Sequence, residues 1–229
     1  MFADRIRFEP LISFDEAVAR IAAVTGVVLV CGATDSGKTT LVLAAMNAAI
    51  RAGRRVAVLD TDPGQGEVGP PGTLGLTVPS DPVASLSERK PEALAFLGDI
   101  TPAGHTLTLV QGACRLLHAG SARDAELVLI DTTGAVEGRW AEVLKLTKAA
   151  ALRPVQIVLL HRGTELSRLA RLFAGLLEAE ILHVRSPAEA RPRSPAYRKL
   201  MREARLRRHL KEARTHVLDA PALTVAGAW

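Results

Sequence analysis

The sequence predicts an α/β fold with a mostly parallel central sheet and helices on both faces. Short runs of β-branched and aliphatic residues, typical of buried strands, alternate with longer segments whose apolar residues recur at helical spacing. Apolar residues make up 48% of the 229 residues, which is enough for one sizeable core. No linker divides the chain, so residues 1–229 are expected to form a single domain.

The elements follow from local signals taken in chain order. Ser13 and Glu16 form a capping box that begins a first helix. A glycine-rich turn opens a second helix, which ends at Gly53. Ten prolines and glycines make residues 63–82 look like a loop. The predicted helices are 13–23, 38–51, 137–150, 165–177 and 195–209. The predicted strands are 27–31, 56–60, 94–97, 107–110, 127–130, 155–160 and 181–184.

Composition narrows the class of protein. No apolar run reaches the roughly 18 residues that a membrane span needs. Two cysteines, Cys31 and Cys114, argue against a disulfide framework and favour a cytoplasmic protein. Aromatic residues are only 3% of the chain and offer few platforms for stacking bases. A nucleic-acid partner would therefore be held mainly through backbone and charge.

The positive charge is concentrated late in the chain. Residues 185–214 carry nine Arg and two Lys against three Glu, a net charge of +8. The other residues carry 18 basic and 21 acidic side chains, a net charge of −3. The segment is either a solvated, arginine-rich helix or a localised anion-binding element.

The strongest motif is a phosphate-binding loop between a strand and a helix, which predicts a P-loop NTPase. The glycines let backbone N–H groups point at phosphate oxygens, and the helix adds its positive dipole end. Lys38 is expected to reach the β- and γ-phosphates, and the Thr39 hydroxyl to ligate Mg²⁺. The predicted nucleotide-binding residues are Gly32, Ala33, Thr34, Asp35, Ser36, Gly37, Lys38, Thr39 and Thr40.

Carboxylates follow two other predicted strands. Asp60 and Asp62 end one strand, and Asp131 ends another. Ligands of parallel sheets bind at the carboxyl ends of the strands, so each carboxylate is a candidate Mg²⁺ ligand. Asp62 is also a candidate base for an attacking hydroxyl, and the choice between Asp62 and Asp131 for the metal stays open. The residues after strand 155–160 lack a guanine-specific element, which disfavours a GTPase.

Four segments together resemble one family, the polynucleotide 5′-hydroxyl kinases. This family is typified by the kinase subunit of eukaryotic pre-mRNA 3′-end processing and by the ribosomal-RNA-processing kinases of the nucleolus. The resemblance spans about residues 26–212, close to a bare kinase domain in a minimal, stand-alone prokaryotic form. Its segments are the phosphate loop 32–39, Asp-Pro-Gly-Gln-Gly at 62–66 with Pro-Pro-Gly at 70–72, residues 97–105, and residues 130–138.

The resemblance implies transfer of the ATP γ-phosphate, with Mg²⁺, to the 5′-OH end of RNA or DNA. It implies that Lys38 and Asp62 are catalytic, and that residues 185–214 form a helical, arginine-rich lid. Arg198, Arg202 and Arg205 fall on one helix face and are the implied catalytic lid residues. The implied substrate-binding residues are Gln65, Gly66, Pro71, Gly72, Asp99, Thr101, Pro102, His105 and Thr133.

Two departures from the family leave the acceptor open. Ala135 stands where the eukaryotic relatives have a Trp that clamps a base, and Asp131 stands where they have Asn. Trp140 or Tyr197 could supply the missing clamp. A nucleoside or other small-molecule kinase is one alternative function, and a non-catalytic ATP-binding assembly factor is another. The sequence names no protein partner and no preference between RNA and DNA.

Overall fold

The described residues of the computed structural model, 10–121, 123–215 and 217, contain one sheet of seven strands. The strands are β1 (Gly26–Gly32), β2 (Val56–Thr61), β3 (Thr73–Thr77), β4 (Ala93–Phe96), β5 (Leu127–Thr132), β6 (Gln156–His161) and β7 (Glu180–Arg185). Their order is β4-β3-β2-β5-β1-β6-β7. Strands β2, β5, β1, β6 and β7 pair in parallel, whereas β3 and β4 add an antiparallel edge. The prediction of a mostly parallel sheet is confirmed.

Helices cover both faces of this sheet, as predicted. They are α1 (Phe14–Ala23), α2 (Lys38–Arg51), α3 (Thr106–Ser121), α4 (Arg139–Leu152), α5 (Ser167–Leu176) and α6 (Pro195–Leu210). Val28 and Val30 of β1 face the core under α1 and α2, whereas Leu29 and Cys31 face the core under α3, α4 and α5. This alternation buries both faces of the strand, which explains its continuous apolar sequence.

The predicted cap of the first helix by Ser13 is confirmed, and the last helix is capped in the same way. Ser13 Oγ accepts the backbone N–H of Glu16 at 3.1 Å and caps α1. Ser194 Oγ accepts the N–H of Tyr197 at 3.1 Å and caps α6, whose first residue is Pro195. Within the described residues, none of the helices combines the length and the apolar character that crossing a bilayer requires.

Two predicted elements are wrong. Residues 63–82 are not all loop, because β3 pairs with β2 and the ladder outweighs the local proline and glycine signals. Gly75 suits this strand because a Cβ there would lie 2.1 Å from the carbonyl oxygen of Val68. Residues 107–110 are not a strand but the start of α3. A short apolar run does not distinguish a strand from a buried helix, and Leu109, Ala113 and Leu116 continue at helical spacing.

The register of the central strands determines what meets at their carboxyl ends. Asp60 of β2 pairs with Asp131 of β5, and Thr61 pairs with Thr132. Val30, two residues before the end of β1, also pairs with Asp131. The acidic residues predicted from two separate strand ends therefore lie side by side at the edge where the phosphate loop leaves β1. Helix α6 crosses this same edge, with Arg205 as its buried residue.

Candidate active site

The phosphate loop joins the end of β1 to the start of α2. Gly37 precedes the helix with φ of +95°, in the left-handed region that glycine enters without strain. A Cβ on Gly32 would lie 2.5 Å from Ser36 Oγ, so the loop curls tightly onto its own start. This curl leaves an open cavity of about 490 Å³ above the helix N-terminus, bordered by Thr34 through Thr40.

Lys38 lies across the loop. Its side chain is buried, and its Nζ donates to the carbonyl oxygen of Ala33 at 2.8 Å. A carbonyl oxygen is a neutral acceptor, so the ammonium keeps its full charge at the floor of the cavity. The helix dipole and the buried cation together make this floor favourable for an anion.

Thr39 and Asp131 meet beside the loop. The Thr39 hydroxyl donates to Asp131 Oδ2 at 2.5 Å. Asp131 Oδ1 is buried and has no hydrogen-bond partner among the described residues. Burial raises the pKa of Asp131 to about 6, against the opposing effects of Lys38 and Thr39. A hydroxyl beside a carboxylate that has one buried oxygen without a partner is a donor set that suits a hard divalent cation.

Asp60 is used differently, although it lies next to Asp131 in the sheet. Its Oδ1 accepts the backbone N–H of Asp62 at 3.1 Å, and its Oδ2 accepts those of Glu67 and Val68 at 2.5 and 3.1 Å. Burial and the adjacent Asp131 carboxylate raise the pKa of Asp60. Asp60 does not border the cavity. The structure therefore places it as the anchor of the loop that follows β2.

Asp62 borders the cavity at the start of that loop. Its Oδ1 accepts the N–H groups of Gly64 and Gln65 at 3.0 and 2.9 Å. Its Oδ2 has no hydrogen-bond partner in the part of the chain that the structure describes. Gly66 closes the turn, since a Cβ there would lie 2.5 Å from the carbonyl oxygen of Asp62. One carboxylate oxygen of Asp62 is thus fixed by backbone while the other is available to a ligand.

A second loop supports the turn at Asp62 from outside the cavity. A Cβ on Gly64 would lie 2.6 Å from the carbonyl oxygen of Ile100, and Gly98 N–H donates to Gly72 at 3.1 Å. Asp99 accepts the N–H of Thr101 at 2.9 Å and pairs with His105 at 3.4 Å. The Thr101 N–H and, after it, His105 lower the pKa of Asp99.

The predicted substrate-binding residues therefore form two groups. Gln65 and Gly66 border the cavity. The second group lies behind Gly64 and does not line the cavity: Pro71, Gly72, Asp99, Thr101, Pro102 and His105.

The lid is fastened to the tip of the phosphate loop at Asp35, whose φ of +58° is unusual for a residue other than glycine. Arg198 Nη2 and the backbone N–H of Arg193 each donate to Asp35 Oδ2 at 2.8 Å. Partial burial opposes ionisation of Asp35, but these two donors outweigh it and lower its pKa. Arg162, at the end of β6, donates to the Asp35 carbonyl oxygen and, at 3.1 Å, to that of Ala190.

The three predicted lid arginines do not converge on one point. Arg198 pairs with Asp35, whereas Arg205 Nη1 donates to the carbonyl oxygen of Gln65 at 3.0 Å. Arg202 has no hydrogen-bond or ion-pair partner among the described residues. Two lid arginines that sequence reasoning did not single out, Arg191 and Arg193, border the cavity instead. They lie on either side of Pro192, before α6 begins, so helical spacing could not predict which way their side chains point.

Sequence reasoning also missed two buried lysines of α4. Lys145 Nζ donates to Thr132 Oγ1 and to the Thr133 carbonyl oxygen at 2.6 Å each, and to Thr133 Oγ1 at 3.2 Å. Lys148 Nζ donates to Thr61 Oγ1 at 2.7 Å. Burial lowers the pKa of Lys145 to about 8 and that of Lys148 to about 7. The available signal was two lysines on the otherwise apolar face of a helix.

Neither of the two candidate base clamps, Trp140 and Tyr197, borders the cavity. Trp140 is 43% exposed beside Gly138, and Tyr197 is 45% exposed with the Arg193 guanidinium 5.8 Å from its ring centroid. Thr133 does not border the cavity, and its hydroxyl oxygen accepts from Lys145 Nζ at 3.2 Å. Gly134 lies against the phosphate loop, where a Cβ would come within 2.5 Å of Thr34 Cα.

Comparisons with known proteins agree with this architecture. Residues 32–212 match the family model described as mRNA cleavage and polyadenylation factor CLP1 P-loop. The chain is 33% identical over 200 residues to a polyribonucleotide 5′-hydroxyl-kinase of Pyrococcus furiosus, covering 87% of this chain and 55% of that protein. It is 37% identical over 186 residues to a polyribonucleotide 5′-hydroxyl-kinase of Thermococcus kodakarensis, covering 78% and 52%. The chain thus spans about half the length of these relatives.

A solved structure is similar over the same region. Clp1p in its complex with Pcf11p superposes with a TM-score of 0.69, covering 87% of this chain and 54% of that one. The sequence identity in that superposition is 13%, so the match supports the fold alone. The predicted P-loop NTPase fold is confirmed.

Proposed function

Because the chain belongs to the CLP1 P-loop family, we propose that it is an ATP-dependent polynucleotide 5′-hydroxyl kinase. The reaction transfers the γ-phosphate of ATP to the 5′-OH end of an RNA or DNA strand. The observation that carries the proposal is the arrangement around one cavity: the Thr39–Asp131 pair and Lys38 lie beside the phosphate loop, and Asp62 lies across from them with one free oxygen.

The residues present fit a magnesium ion. Mg²⁺ binds through one or two carboxylate or hydroxyl oxygens together with substrate phosphates, rather than in a cage of protein ligands. Thr39 and Asp131 would hold the ion, and Asp60 would not, because backbone N–H groups occupy both its oxygens. When bound, Mg²⁺ neutralises charge on the β- and γ-phosphate oxygens.

Asp62 is the proposed base. With Oδ1 fixed by Gly64 and Gln65, Oδ2 can accept the proton of a 5′-hydroxyl as the hydroxyl oxygen attacks the γ-phosphorus in line. The bond to the β–γ bridging oxygen breaks, and ADP leaves. Gln65 and Gly66 border the same cavity and would contact the terminal nucleotide, with the 97–105 loop holding the turn in place.

Positive charge surrounds the transferring group on two sides. Lys38 lies below it, and the lid arginines Arg191, Arg193 and Arg198 lie above it. Arginine clamps of this kind accelerate phosphoryl transfer by about 10³–10⁵. We assign this role to the N-terminal part of the lid, because Arg191 and Arg193 border the cavity whereas Arg205 does not.

The test is transfer of label from γ-labelled ATP to 5′-OH oligonucleotides of graded length, in matched RNA and DNA forms. Wild-type protein should label both the RNA and DNA series or one of them. Lys38→Ala should abolish transfer, and Asp62→Asn should reduce it by about 10²–10⁴ while leaving ATP binding intact. Undiminished transfer by the Asp62 variant would remove the base assignment.

The same assay separates the alternatives. A nucleoside or other small-molecule kinase would phosphorylate a mononucleoside as well as an oligonucleotide, with no gain from added nucleotides. A non-catalytic assembly factor would bind ATP tightly and yield no phosphorylated product. Either result would contradict the proposal.

A further inference from the structure

A second cavity, of about 590 Å³, lies between the C-terminal half of α6 and the segment 87–94 before and within β4. We name it the lid groove. It adjoins the phosphate-loop cavity, because Glu67 borders both. Two contacts fasten α6 along the boundary: Arg205 donates to the Gln65 carbonyl oxygen at 3.0 Å, and Arg208 donates to that of Ser87 at 3.0 Å. The loop that begins at Asp62 therefore leads directly from one cavity into the other.

The walls of the lid groove carry an excess of positive charge. Its cationic residues are Arg89, Lys90, Arg205, Arg208 and Lys211, and its carboxylates are Glu67, Glu88 and Glu212. Arg89 pairs with Asp81 at 3.9 Å, but Arg205 and Arg208 contact neutral carbonyl oxygens, and Glu67 contacts the Ser85 hydroxyl. Lys90 and Lys211 are exposed, and their side chains have no hydrogen-bond or ion-pair partner among the described residues. Charge that protein carboxylates do not neutralise attracts an anionic ligand.

The shape and chemistry of the groove suit a nucleic-acid backbone. Pro91 and Leu94 supply an apolar wall for sugars and base faces, while the lysines and Arg208 supply point charges for phosphates. Among the described residues that line it there is no Phe, Tyr or Trp, so it would hold a strand mainly through the backbone.

We propose that the lid groove binds the phosphate backbone of the acceptor strand downstream of its 5′-terminal nucleotide. This inference rests on the proposed kinase function, since it takes the strand to begin at Asp62. On this path the 5′ end would lie at Asp62 and Gln65, and the strand would pass Glu67, which borders both cavities, toward Lys90 and Lys211. The protein then prefers a polynucleotide to a nucleoside because added phosphates contact this groove.

The test is the variant Lys90→Ala/Lys211→Ala, with Lys199→Ala/Arg207→Ala as the matched control. The control removes two positive charges from exposed positions of α6 that pair only with Glu203, away from the groove. Both variants should unfold at the wild-type temperature, because the altered side chains are exposed. The acceptors are a 5′-OH dinucleotide and a single strand of about 12 nucleotides, within the usual range of single-strand site sizes.

For the groove variant we expect the KM of the long strand to rise roughly tenfold, with kcat and the kinetics of the dinucleotide unchanged. The plot of log binding constant against log salt concentration has a negative slope, whose magnitude should decrease by about 1.4. Each lost single-strand phosphate contact accounts for about 0.7 of this decrease. The control variant should change the slope by much less.

Three outcomes would overturn the inference. The first is equal KM values for the long strand in both variants, and the second is an equal loss on the dinucleotide. The third is binding of a poly-glutamate peptide that depends on Lys90 and Lys211, by a protein that does not bind the long strand. That result would assign the groove to an acidic polypeptide. Failure of the kinase proposal is distinct, because the wild-type protein would then leave both acceptors unlabelled or label a mononucleoside as well as the long strand.

Discussion

The carboxylate of Asp35, at the tip of the phosphate loop, pairs with the guanidinium of Arg198 on the lid helix at 2.8 Å. The two residues are 163 positions apart in the chain, and their side chains are 12% and 28% exposed. The pair therefore joins the loop that binds phosphates to the element that covers it. It also holds the Arg198 charge beside the phosphate site.

This pair should contribute measurably to stability, because it is partly withdrawn from solvent. In a double-mutant cycle with Asp35→Asn and Arg198→Met, we expect a coupling of about 1 kcal/mol in the free energy of unfolding by urea. Asparagine adds little backbone strain at residue 35, since it tolerates a positive φ. The control is the exposed Lys199–Glu203 pair of the same helix, at 4.0 Å, for which about 0.3 kcal/mol is expected. Equal couplings would mean that the lid is not fastened at Asp35.

Asp131 should lower the stability of the protein without ligands, and it should be essential for the activity of the protein with ATP and Mg²⁺ bound. Its pKa is raised to about 6 by burial, above the ordinary value, so the folded state resists its ionisation. Stability from this group is present at low pH and is lost as pH rises through about 4 to 6. Asp131→Asn should therefore raise the unfolding free energy at pH 7 by about 2 kcal/mol.

The same variant should lose the response to metal. Mg²⁺ with ATP should raise the unfolding temperature of the wild-type protein but not that of Asp131→Asn, and labelling of a 5′-OH oligonucleotide should fall by at least about 10²-fold. Thr39→Ser, which keeps the hydroxyl, is the control and should retain the response. Full activity of Asp131→Asn would assign the metal to Asp62.

Gly134 should not accept a side chain. A Cβ there would lie 2.5 Å from Thr34 Cα and 2.7 Å from Thr34 N, and backbone atoms cannot move aside cheaply. Gly134→Ala should displace the phosphate loop, destabilise the protein by about 1–3 kcal/mol and abolish binding of a fluorescent ATP analogue. Gly175→Ala is the control, because nothing lies within 4 Å of its Cβ in α5. It should stabilise the protein by about 0.5–1 kcal/mol. Unchanged ATP binding by Gly134→Ala would contradict the close contact.

Much of the fold could be predicted from local signals in the sequence. A buried strand, a glycine turn and a helix with Lys38 at its start are contiguous in sequence, so β1, the phosphate loop and α2 could be predicted. Strand β3 could not, because its pairing with β2 decides its conformation against the prolines and glycines around it. The run 107–110 failed for a related reason, since only packing distinguishes a short buried strand from the first turn of a helix.

The site could be predicted as a list of residues but not as an arrangement. The roles of the aspartates depend on contacts between distant segments, such as the Thr39 hydroxyl on Asp131, 92 positions apart. Arg198 and Arg205 share a helix face, yet seven residues separate them by about 10 Å along the axis. They therefore reach different loops, Asp35 and Gln65, rather than a single phosphate.

The buried lysines of α4 provide a matched pair with opposite expected effects on stability. Lys145 donates to three oxygens at the end of β5, so Lys145→Met would leave the buried carbonyl and hydroxyl oxygens of Thr133 without a partner. We expect a loss of about 1–3 kcal/mol in the free energy of unfolding. Lys148 contacts Thr61 Oγ1 alone, and that hydroxyl still donates to the Asp131 carbonyl oxygen at 2.7 Å. Lys148→Met should therefore be neutral or stabilising.

The pH dependence of stability provides a second readout for Lys148. Burial, followed by the neighbouring Lys145, lowers its pKa to about 7, whereas the unfolded chain has the ordinary lysine value of about 10.4. Between these values the unfolded state binds more protons than the folded state, so wild-type stability should rise as pH increases from about 7 to about 10. Lys148→Met should flatten this rise in urea unfolding measured across that range. A variant that keeps the full wild-type slope would show that Lys148 is charged in the folded protein.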